Sequence, residues 1–478
     1  MAAELEMVVG LEVHVQLGTR TKLFCGCAAD SVGALPNSAV CPVCTAQPGA
    51  LPVLNRRAVE LAFRAALALG ATLRERSVFA RKNYFYPDLP KGYQISQYDQ
   101  PFAAGGMVGL GGSPARQIKL TRIHMEDDAG KSLHAELPYS RIDFNRAGVA
   151  LIEIVSEPDI RSAEDAHRFL THLKTVLQYC GVSRCDMEKG ELRCDANISV
   201  RPLGNAALGT KTEIKNLNSL RAVKDALTYE HRRQCAVLDA GGEIMQETRL
   251  WDAAAGRTEP MRSKEDAHDY RYFPEPDLAP LTTDAAWIER VRAELPELPD
   301  ARRERFVSAY GLSVYDAGVL TAERELADYF EAVMRGGKSC AAKQAANWIS
   351  SELLGKLNAE SAALEKAPVS PERLAELLDM IADGTISGKI AKDVFARMWT
   401  TGESASIIVR DSGLEQVQDA GRVALWVDEA IAENPRAVAE CRAGKEKAIG
   451  AVVGAVMRKS QGRANPALVN EMIRERMR

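Results

Sequence analysis

Four of the ten cysteines are clustered near the start of the chain, and their spacing restricts how that region can fold. Cys25-Gly-Cys27 and Cys41-Pro-Val-Cys44 form two close pairs with thirteen residues between them. Thiolates on two such turns can together bind one tetrahedral Zn²⁺. Because both pairs lie in a Gly/Pro-rich segment, the sequence predicts a structural zinc site. Four reduced thiols, or a redox pair at Cys41 and Cys44, are the alternatives.

Length, composition and charge exclude several other classes of protein. With 478 residues, 46% hydrophobic and 26% charged, the chain is typical of a globular protein of roughly three domains. A net charge of −4 argues against a general polyanion binder, but residues 436–478 hold 10 basic and 4 acidic residues, a local charge of +6. The N-terminus lacks a signal-peptide pattern, and the longest apolar run is too short to span a bilayer. We therefore expect a cytoplasmic protein without a membrane partner.

A change in residue pattern divides the chain into an α+β part and a helical part. Five prolines fall between Pro274 and Pro299. Upstream, period-two alternation predicts antiparallel strands, whereas downstream the i, i+3, i+4, i+7 spacing predicts helices at 374–381 and 449–456. We expect an α+β body at 1–294, a helical domain at 295–405 and a small helical tail domain at 406–478.

Two predicted strands carry polar side chains on one face. In the strand 11–17, Glu12, His14 and Gln16 share a face, while the other face is apolar. In the strand 192–201, the polar face holds the series Arg-Asp-Asn-Ser-Arg, with Glu191 just before it. A solvated sheet face is the simpler explanation for either strand. The second series favours contact with a ligand, because a solvated face usually includes Lys, Thr and Gln.

Carboxylates in two further segments are harder to explain as part of a solvated surface. The alternation in 118–128 changes phase at Arg122, so that Arg122, His124 and Glu126 share a face, and Glu153 lies within an apolar run. A buried carboxylate needs a cation or hydrogen-bond donors. An Arg or Lys partner and a Mg²⁺ ion are the two explanations. No segment has the spacing of a Walker phosphate loop, so any nucleotide phosphates would be held by metal and basic side chains.

The same segments resemble one enzyme family. The stretches that carry the resemblance are Gly10–Leu17, Arg81–Pro90, Met187–Asn197 and His268–Pro276, with Gly444–Lys447 and Gly462–Pro466 resembling its tail. The family is GatB, the B subunit of the glutamine-dependent aspartyl/glutamyl-tRNA amidotransferase. The similarity runs nearly unbroken from Met7 to Pro280. Ala150 departs from it, since the family usually has proline there.

The resemblance implies a fold, a reaction and partners. It implies a cradle-shaped antiparallel-sheet catalytic domain, similar to that of glutamine synthetase, followed by the helical domain and the tail. The family phosphorylates the side-chain carboxylate of Glu-tRNA(Gln) or Asp-tRNA(Asn) with ATP, and ammonia from the amidase, the A subunit, then gives the amide. The heterotrimer is completed by a small C subunit, and the non-discriminating aminoacyl-tRNA synthetase is a further implied partner.

The resemblance also implies roles for individual residues. The Mg²⁺ ligands would be Glu12, His14, Glu126, Glu191 and Asp195. Catalysis would depend on Glu126 and on two cations that offset developing charge, Arg193 and Lys211. Lys82 would gate an ammonia channel. The tRNA-binding residues would be Lys445, Lys447, Arg458, Lys459 and Arg463.

Two other classes of function stay open from the sequence. A binding scaffold could present tRNA to a catalytic partner, in which case the carboxylates would be dispensable. A free-standing ligase of glutamine-synthetase type would make the basic tail irrelevant. The choice between the Asn and Gln pathways is not encoded in any motif, because the tRNA is selected by shape.

Overall fold

The strand β1 (Leu5–Gln16) lies inside a 10-stranded sheet in the computed structural model of this chain. Its side chains Leu11, Val13 and Val15 are fully buried, which confirms the alternating face predicted from the sequence. The structure describes residues 4–111, 116–134, 139–261, 270–417, 419–442 and 448–477. The chain forms two compact units, Met1–Leu298 and Pro299–Arg478.

The first unit combines strands with four helices in its described residues. The strands that follow β1 are β2 (Thr72–Leu73), β3 (Arg76–Ser77), β4 (Ala80–Asn83), β5 (Tyr93–Ser96), β6 (Ala103–Ala104), β7 (Met107–Gly109), β8 (Gln117–Asp127), β9 (Lys131–His134), β10 (Ser140–Asp143), β11 (Ala150–Ser156), β12 (Leu192–Pro202), β13 (Thr212–Leu217), β14 (Glu247–Asp252), β15 (Arg257–Pro260), β16 (Phe273–Pro274) and β17 (Leu281–Thr282). The helices are α1 (Arg56–Ala68), α2 (Ala163–Tyr179), α3 (Leu220–Asp239) and α4 (Ala285–Ala293).

The order of strands in the large sheet is β15-β14-β13-β12-β1-β11-β8-β6-β2, and β7 pairs with β8. The strands pair antiparallel except for β13 and β14, which are parallel. The expectation of antiparallel strands is therefore wrong at this one pair. The reason is that the 20-residue helix α3 connects the two strands, and a helical crossover returns the chain in the same direction.

A bulge in β8 explains the change of phase seen in the sequence. Val155 of β11 pairs with Arg122 and Ser156 pairs with Leu120, so Thr121 is an additional residue in β8. Beyond the bulge, Ile123 continues the fully buried apolar face. His124, the next residue along the strand, points to the opposite, polar face of the sheet.

The sheet's apolar face forms one hydrophobic core with α1, α2 and α3. Each of these helices begins at a side chain that accepts a backbone hydrogen bond, namely Asn55, Ser162 and Ser219. Phe63, Phe169 and other large side chains fill the interior. With one face of the sheet covered, the functional groups of the central strands lie on the other face.

The second unit is helical throughout its described residues, apart from the single bridge between Val417 and Ala464. Its helices are α5 (Pro299–Tyr310), α6 (Val314–Leu320), α7 (Arg324–Gly336), α8 (Ala342–Trp348), α9 (Leu354–Glu360), α10 (Pro371–Ala382), α11 (Gly388–Thr401), α12 (Ala405–Asp411), α13 (Ala420–Glu433), α14 (Pro435–Arg442), α15 (Ile449–Lys459) and α16 (Pro466–Met477). A π-helical turn at Ile349–Leu353 joins α8 to α9, and a short 3₁₀ turn covers Leu364–Lys366.

Both helices predicted from spacing are present in the second unit. Helix α10 begins after Ser370, whose hydroxyl accepts from the backbone of Arg373, and Gly384 follows it with a positive φ of 78°. Helix α15 buries Val452 and Val456. Two separate hydrophobic clusters lie in this unit, one from Phe306 to Val409 and one from Val423 to Ile473. Among the described residues, no helix combines the length and hydropathy needed to cross a bilayer.

Candidate functional site

The registers of four adjacent strands bring acidic and basic side chains together on the polar face. His14 of β1 lies opposite Glu153 of β11 on one side and Arg193 of β12 on the other. Glu153 also lies opposite His124 of β8. Glu126 is two residues further along β8, so its side chain lies on the same face as His124.

His14, His124, Glu126 and Glu153 form a tight group, named here the His–Glu cluster. The His14 Nε2 atom lies 3.5 Å from a Glu126 oxygen and 3.3 Å from a Glu153 oxygen. The His124 Nε2 atom lies 3.8 Å and 3.2 Å from the other oxygen of Glu126 and the same oxygen of Glu153. His124, Glu126 and Glu153 are buried. The partners of the buried Glu153 are therefore imidazoles rather than Arg or Lys.

Charge in the His–Glu cluster is balanced between its two acids and its two bases. Burial alone lowers the pKa of His124, but the carboxylates of Glu153 and Glu126 outweigh it and raise that pKa to about 9. The same opposition of burial and carboxylates leaves the pKa of His14 raised. Burial works against the ionised form of Glu153, yet the two histidines hold its pKa well below the ordinary range. The raised histidine pKa values favour protonated imidazoles, whose positive charge offsets that of the two carboxylates.

The donor set of the cluster suits a divalent cation. His14, Glu126 and Glu153 each offer a ligand atom, and these atoms lie within 4.8 Å of one another. The Nδ1 atom of His124 is buried and has no hydrogen-bond partner among the described residues. Carboxylate oxygens are the ligands that Mg²⁺ prefers, whereas imidazole is an uncommon ligand for it. Two carboxylates and one imidazole thus fit Mg²⁺ with water completing the shell.

The other three residues expected to bind Mg²⁺ have partners elsewhere. Glu12 accepts a hydrogen bond from Asn197 at 2.9 Å, and burial together with nearby carboxylates raises its pKa. Asp195 pairs with Lys215 at 2.6 Å. Glu191 accepts from the Nε of Arg184 at 2.9 Å. Glu12 and Asp195 face each other across β1 and β12, beside the cluster.

The two cations expected to assist catalysis lie at different places. Arg193 is opposite His14 and donates to Asp128 at 2.8 Å, which fixes its guanidinium at the edge of the cluster. Lys211 is exposed and lines a cavity of about 270 Å³ that also contains Glu12. The remaining lining is mixed apolar and polar: Val8, Gly10, Leu11, Val155, Ser156, Pro158, Asn197, Ile198, Ser199, Leu208 and Gly209.

Lys82 of β4 lies in an aromatic setting. Its ammonium is 4.9 Å from the centroid of the Tyr270 ring. Burial lowers the pKa of Lys82, but Tyr272 and the carboxylates of Glu126 and Glu153 outweigh it and raise that pKa. Tyr272 in turn stacks on the half-exposed Tyr98, with 4.2 Å between ring centroids. The sequence of Arg262–Phe273 mixes cations with aromatic residues, a pattern that suits contacts to phosphates and stacked bases, although packed surface is an equal alternative. Residues 262–269 of this segment lie outside the described residues.

The four clustered cysteines converge as the spacing predicts. Each offers a sulfur, and the four sulfurs lie within 4.8 Å of one another. The Cys44 thiol donates to the Cys41 sulfur at 3.9 Å, and both cysteines are free of disulfides. A hydrogen bond from Cys25, assisted by further donors, lowers the pKa of Cys44 to about 4. Burial, followed by the hydrogen bond with Cys41, raises the pKa of Cys27 to about 11. This donor set fits a tetrahedral zinc ion.

The cations predicted to bind tRNA differ in their solvent exposure and in their pairing with nearby acceptors. Arg458 is exposed on α15. Lys459 is paired with Glu429 at 3.0 Å and Glu433 at 2.7 Å. Arg463 donates to the carbonyl of Gly413 at 3.3 Å. The two remaining residues of this prediction, Lys445 and Lys447, lie outside the described residues.

Sequence reasoning singles out some of these groups but misses their partners. His124 shares a face with Glu126, which is visible in the alternation, yet nothing local shows that it reaches Glu153. The pairing of Lys215 with Asp195 is also not predicted from the sequence, although Glu213 and Lys215 lie on one face of β13. Asp128, which holds Arg193, stands out in the sequence only as part of an acidic run.

Two parts of the chain match models of known protein domains. Residues 7–289 match the model of the GatB/GatE catalytic domain, and residues 328–477 match the GatB domain model. The His–Glu cluster and the four cysteines both lie within the first match.

Along nearly its whole length, the chain is similar to proteins with one shared name. It is 53% identical to the aspartyl/glutamyl-tRNA(Asn/Gln) amidotransferase B subunit of Carboxydothermus hydrogenoformans, over 99% of each chain. Identity to the protein of that name from Moorella thermoacetica is also 53%, over 99% of this chain and 100% of the relative. Identity to the Geobacter sulfurreducens protein is 52%, over 99% of both. This chain belongs to the family of aspartyl/glutamyl-tRNA(Asn/Gln) amidotransferase B subunits.

Proposed function

We propose that this chain uses ATP to phosphorylate the side-chain carboxylate of Glu-tRNA(Gln) and Asp-tRNA(Asn), and that ammonia then displaces the phosphate. The products are Gln-tRNA(Gln) and Asn-tRNA(Asn). The names of its relatives support the amide-forming reaction and the two tRNAs. The ammonia comes from the glutaminase activity of the A subunit, in a heterotrimer that also contains the C subunit. We further propose that 1–294 is the cradle-shaped, glutamine-synthetase-like domain, with 295–405 and 406–478 as separate helical and tail domains.

The single observation that carries this proposal is the His–Glu cluster on the polar face of the sheet. Phosphoryl transfer depends on positioning and charge neutralisation more than on covalent chemistry by the protein. In our proposal His14, Glu126 and Glu153 hold Mg²⁺, with Glu12 and Asp195 beside it. Mg²⁺ when bound neutralises phosphate charge and orients the transferring group. We assign Glu191 a structural role, because its carboxylate already accepts a hydrogen bond from Arg184.

The neighbouring cavity offers a place for the rest of the nucleotide. Its wall combines apolar side chains with Asn197, Ser199 and Lys211. We propose that it holds the nucleoside and that Lys211 contacts phosphate. Arg193 stands at the opposite side of the cluster, fixed by Asp128, where its positive charge stabilises the negative charge that develops during transfer.

Ammonia would reach the acyl phosphate past Lys82. The ammonium of Lys82 carries charge next to the cluster, and Tyr270 and Tyr272 flank it. We propose that this side chain gates the final part of the ammonia path. The zinc site formed by the four cysteines is proposed as structural, because all four positions of a tetrahedron are taken by sulfur.

The tail is proposed to bind tRNA without taking part in the chemistry. Its local charge of +6 contrasts with the negative remainder of the chain, and phosphate contacts dominate affinity for RNA. Arg458 is exposed, whereas Lys459 is paired with two glutamates. We therefore expect Arg458 to contribute more to tRNA binding than Lys459 does.

The test is to offer the purified heterotrimer ATP, glutamine and each mischarged tRNA separately. We expect amide formation on both tRNAs, with ATP consumed in proportion. Glu126→Gln and Asp195→Asn are expected to abolish amide formation almost completely while tRNA binding survives. Glu157→Gln is the matched control, since that partly exposed glutamate hydrogen-bonds Thr121 outside the cluster.

The same experiment separates the alternatives. Normal turnover by both carboxylate variants would favour a binding scaffold and contradict the proposed site. Amidation of free glutamate at the rate seen with mischarged tRNA would favour a free-standing ligase.

A further inference from the structure

Lys22 is a fully buried lysine beside the four-cysteine site. It follows Thr21, whose backbone forms a bridge with Ala28 at the start of the cysteine segment. The side-chain stem packs next to Gly148, where a Cβ atom would lie 3.5 Å from the Lys22 Cδ and 3.3 Å from the Cys44 Cβ. Gly148 has a positive φ of 86°, so this close approach uses a position that favours glycine.

The acceptors of the Lys22 ammonium are unusual for a buried charge. Its Nζ donates to the carbonyl of Ala39 at 2.8 Å and approaches the carbonyl of Phe144 at 3.5 Å. The third acceptor is the Sγ of Cys44, also at 3.5 Å. Among the described residues, the Lys22 ammonium has no carboxylate acceptor. A buried ammonium without a negative partner is strongly unfavourable, so the sulfur is the one acceptor here that can supply the compensating charge.

A zinc ion bound to four cysteines forms a centre with excess negative charge. Each ligand is a thiolate, so the centre carries a net double negative charge in a partly buried setting. A nearby cation lowers the cost of burying that charge, and hydrogen bonds to ligand atoms orient them. Lys22 meets both needs at once, because its ammonium donates to a ligand sulfur and is itself held by two carbonyls.

We propose that Lys22 is a positioning residue of the zinc site, which compensates the charge of the tetrathiolate centre through a hydrogen bond to Cys44. This inference rests on the zinc assignment made above. Ala39 and Phe144 hold the ammonium through their carbonyls, so that one lysine ties the cysteine segment to the loop before β11. The consequence is slower loss of zinc from the folded protein.

The test compares zinc release from the purified complex carrying Lys22→Met, Lys22→Arg or Lys224→Met. Methionine keeps the buried stem and removes the charge, and arginine keeps the charge. Lys224 is the control, because it is a half-exposed lysine paired with Glu164 rather than with any cysteine. Zinc content is measured first, and then transfer to a chromogenic chelator is followed over time. Loss of a residue that supports a metal ligand typically weakens metal binding about 10–100-fold.

We expect Lys22→Met to release zinc about 10–100-fold faster than wild type, Lys22→Arg to recover much of the difference, and Lys224→Met to match wild type. Cobalt-substituted protein adds a readout that a purely structural role leaves unchanged, namely the thiolate-to-cobalt absorption, which should shift only when the ammonium is lost. Wild-type release by Lys22→Met would overturn the proposal while leaving the zinc assignment intact. Absence of zinc from the wild type would refute the zinc assignment itself.

A second measurement needs no variant and applies even if Lys22→Met fails to fold. Wild-type complex is acetylated briefly with and without prior zinc removal, and Lys22 is followed by mass spectrometry. We expect protection with zinc bound and labelling after removal, with Lys224 labelled equally in both. Equal labelling of Lys22 in the two states would contradict the proposal.

Discussion

Replacing Glu153 by glutamine should change the titration of His124 in the metal-free protein. Glu153 lies 3.2 Å from the His124 Nε2 atom, closer than Glu126 at 3.8 Å. Burial lowers the pKa of His124, so its value of about 9 depends on these two carboxylates. Removing the nearer carboxylate should therefore lower this pKa.

The size of the effect follows from the two pKa values of His124. The value of about 9 in the folded protein exceeds the ordinary 6.5 by about 2.5, and each pK unit is worth about 1.4 kcal/mol. The protonated histidine thus contributes about 3 kcal/mol to the free energy of unfolding. Since the folded-state pKa is the higher one, this contribution is complete below pH 6.5 and is lost as the pH rises towards 9. Glu153→Gln should therefore lower the free energy of unfolding at pH 6 through this histidine, and this loss should shrink as the pH rises to about 9.

The assay is a pH titration of protein labelled with carbon-13 at the histidine rings, followed by NMR. The chain has seven histidines, and His14→Gln and His124→Gln variants assign the two signals of interest. Glu157→Gln should leave the His124 titration unchanged. A wild-type His124 that titrates near 6.5, or a Glu153→Gln variant with an unaltered curve, would refute the electrostatic account of the cluster.

Further predictions concern the metal, the zinc, the tail and the backbone. Mg²⁺ affinity measured by calorimetry should rise as the pH increases above 6.5, because the pKa of His14 is raised above that ordinary value and the imidazole must lose its proton to bind metal; a flat profile would exclude it as a ligand. Chelation of zinc should lower the melting temperature of the first unit, since structural zinc contributes on the order of 10 kcal/mol to apparent folding energy, and an unchanged melting curve would argue against a structural role. Arg458→Gln should reduce the slope of log tRNA affinity against log salt by about 1, and Lys459→Gln by less, because two glutamates already pair with it; equal slopes would contradict this ranking. Gly106→Ala should destabilise the protein by about 2–3 kcal/mol in thermal unfolding, because its φ is +97° and a Cβ would lie 2.8 Å from a carbonyl oxygen. Gly105→Ala, with a positive φ but open space, should cost only about 1 kcal/mol, and similar losses for both would show that the contact is unimportant.

Local patterns in the sequence predicted the framework of the site. The alternation of β1 and β12 fixes which side chains share the polar face, and the change of phase in β8 predicted the face on which His124 and Glu126 lie. The cysteine spacing likewise predicted that four sulfurs converge. These features are local, because strand geometry alternates side chains at every second residue.

Partners supplied by distant strands could not be predicted in the same way. Glu153 meets His14 and His124 only because β11 pairs with both β1 and β8. The interaction of Glu191 with Arg184, and that of Asp195 with Lys215, depend on loop and strand placement that no single segment encodes. The burial of Lys22 beside the cysteines could not be predicted from the sequence, since a lone lysine is normally exposed.

The central claim is that the substrate carboxylate is phosphorylated before it is amidated, and an isotope experiment tests it directly. Glu-tRNA(Gln) labelled with oxygen-18 in the side-chain carboxylate is supplied to the complex with ATP and glutamine, and the released phosphate is analysed by mass spectrometry. Our account predicts one labelled oxygen in each phosphate released with an amide, and loss of both products in Glu126→Gln. Amide formation with unlabelled phosphate would contradict the account.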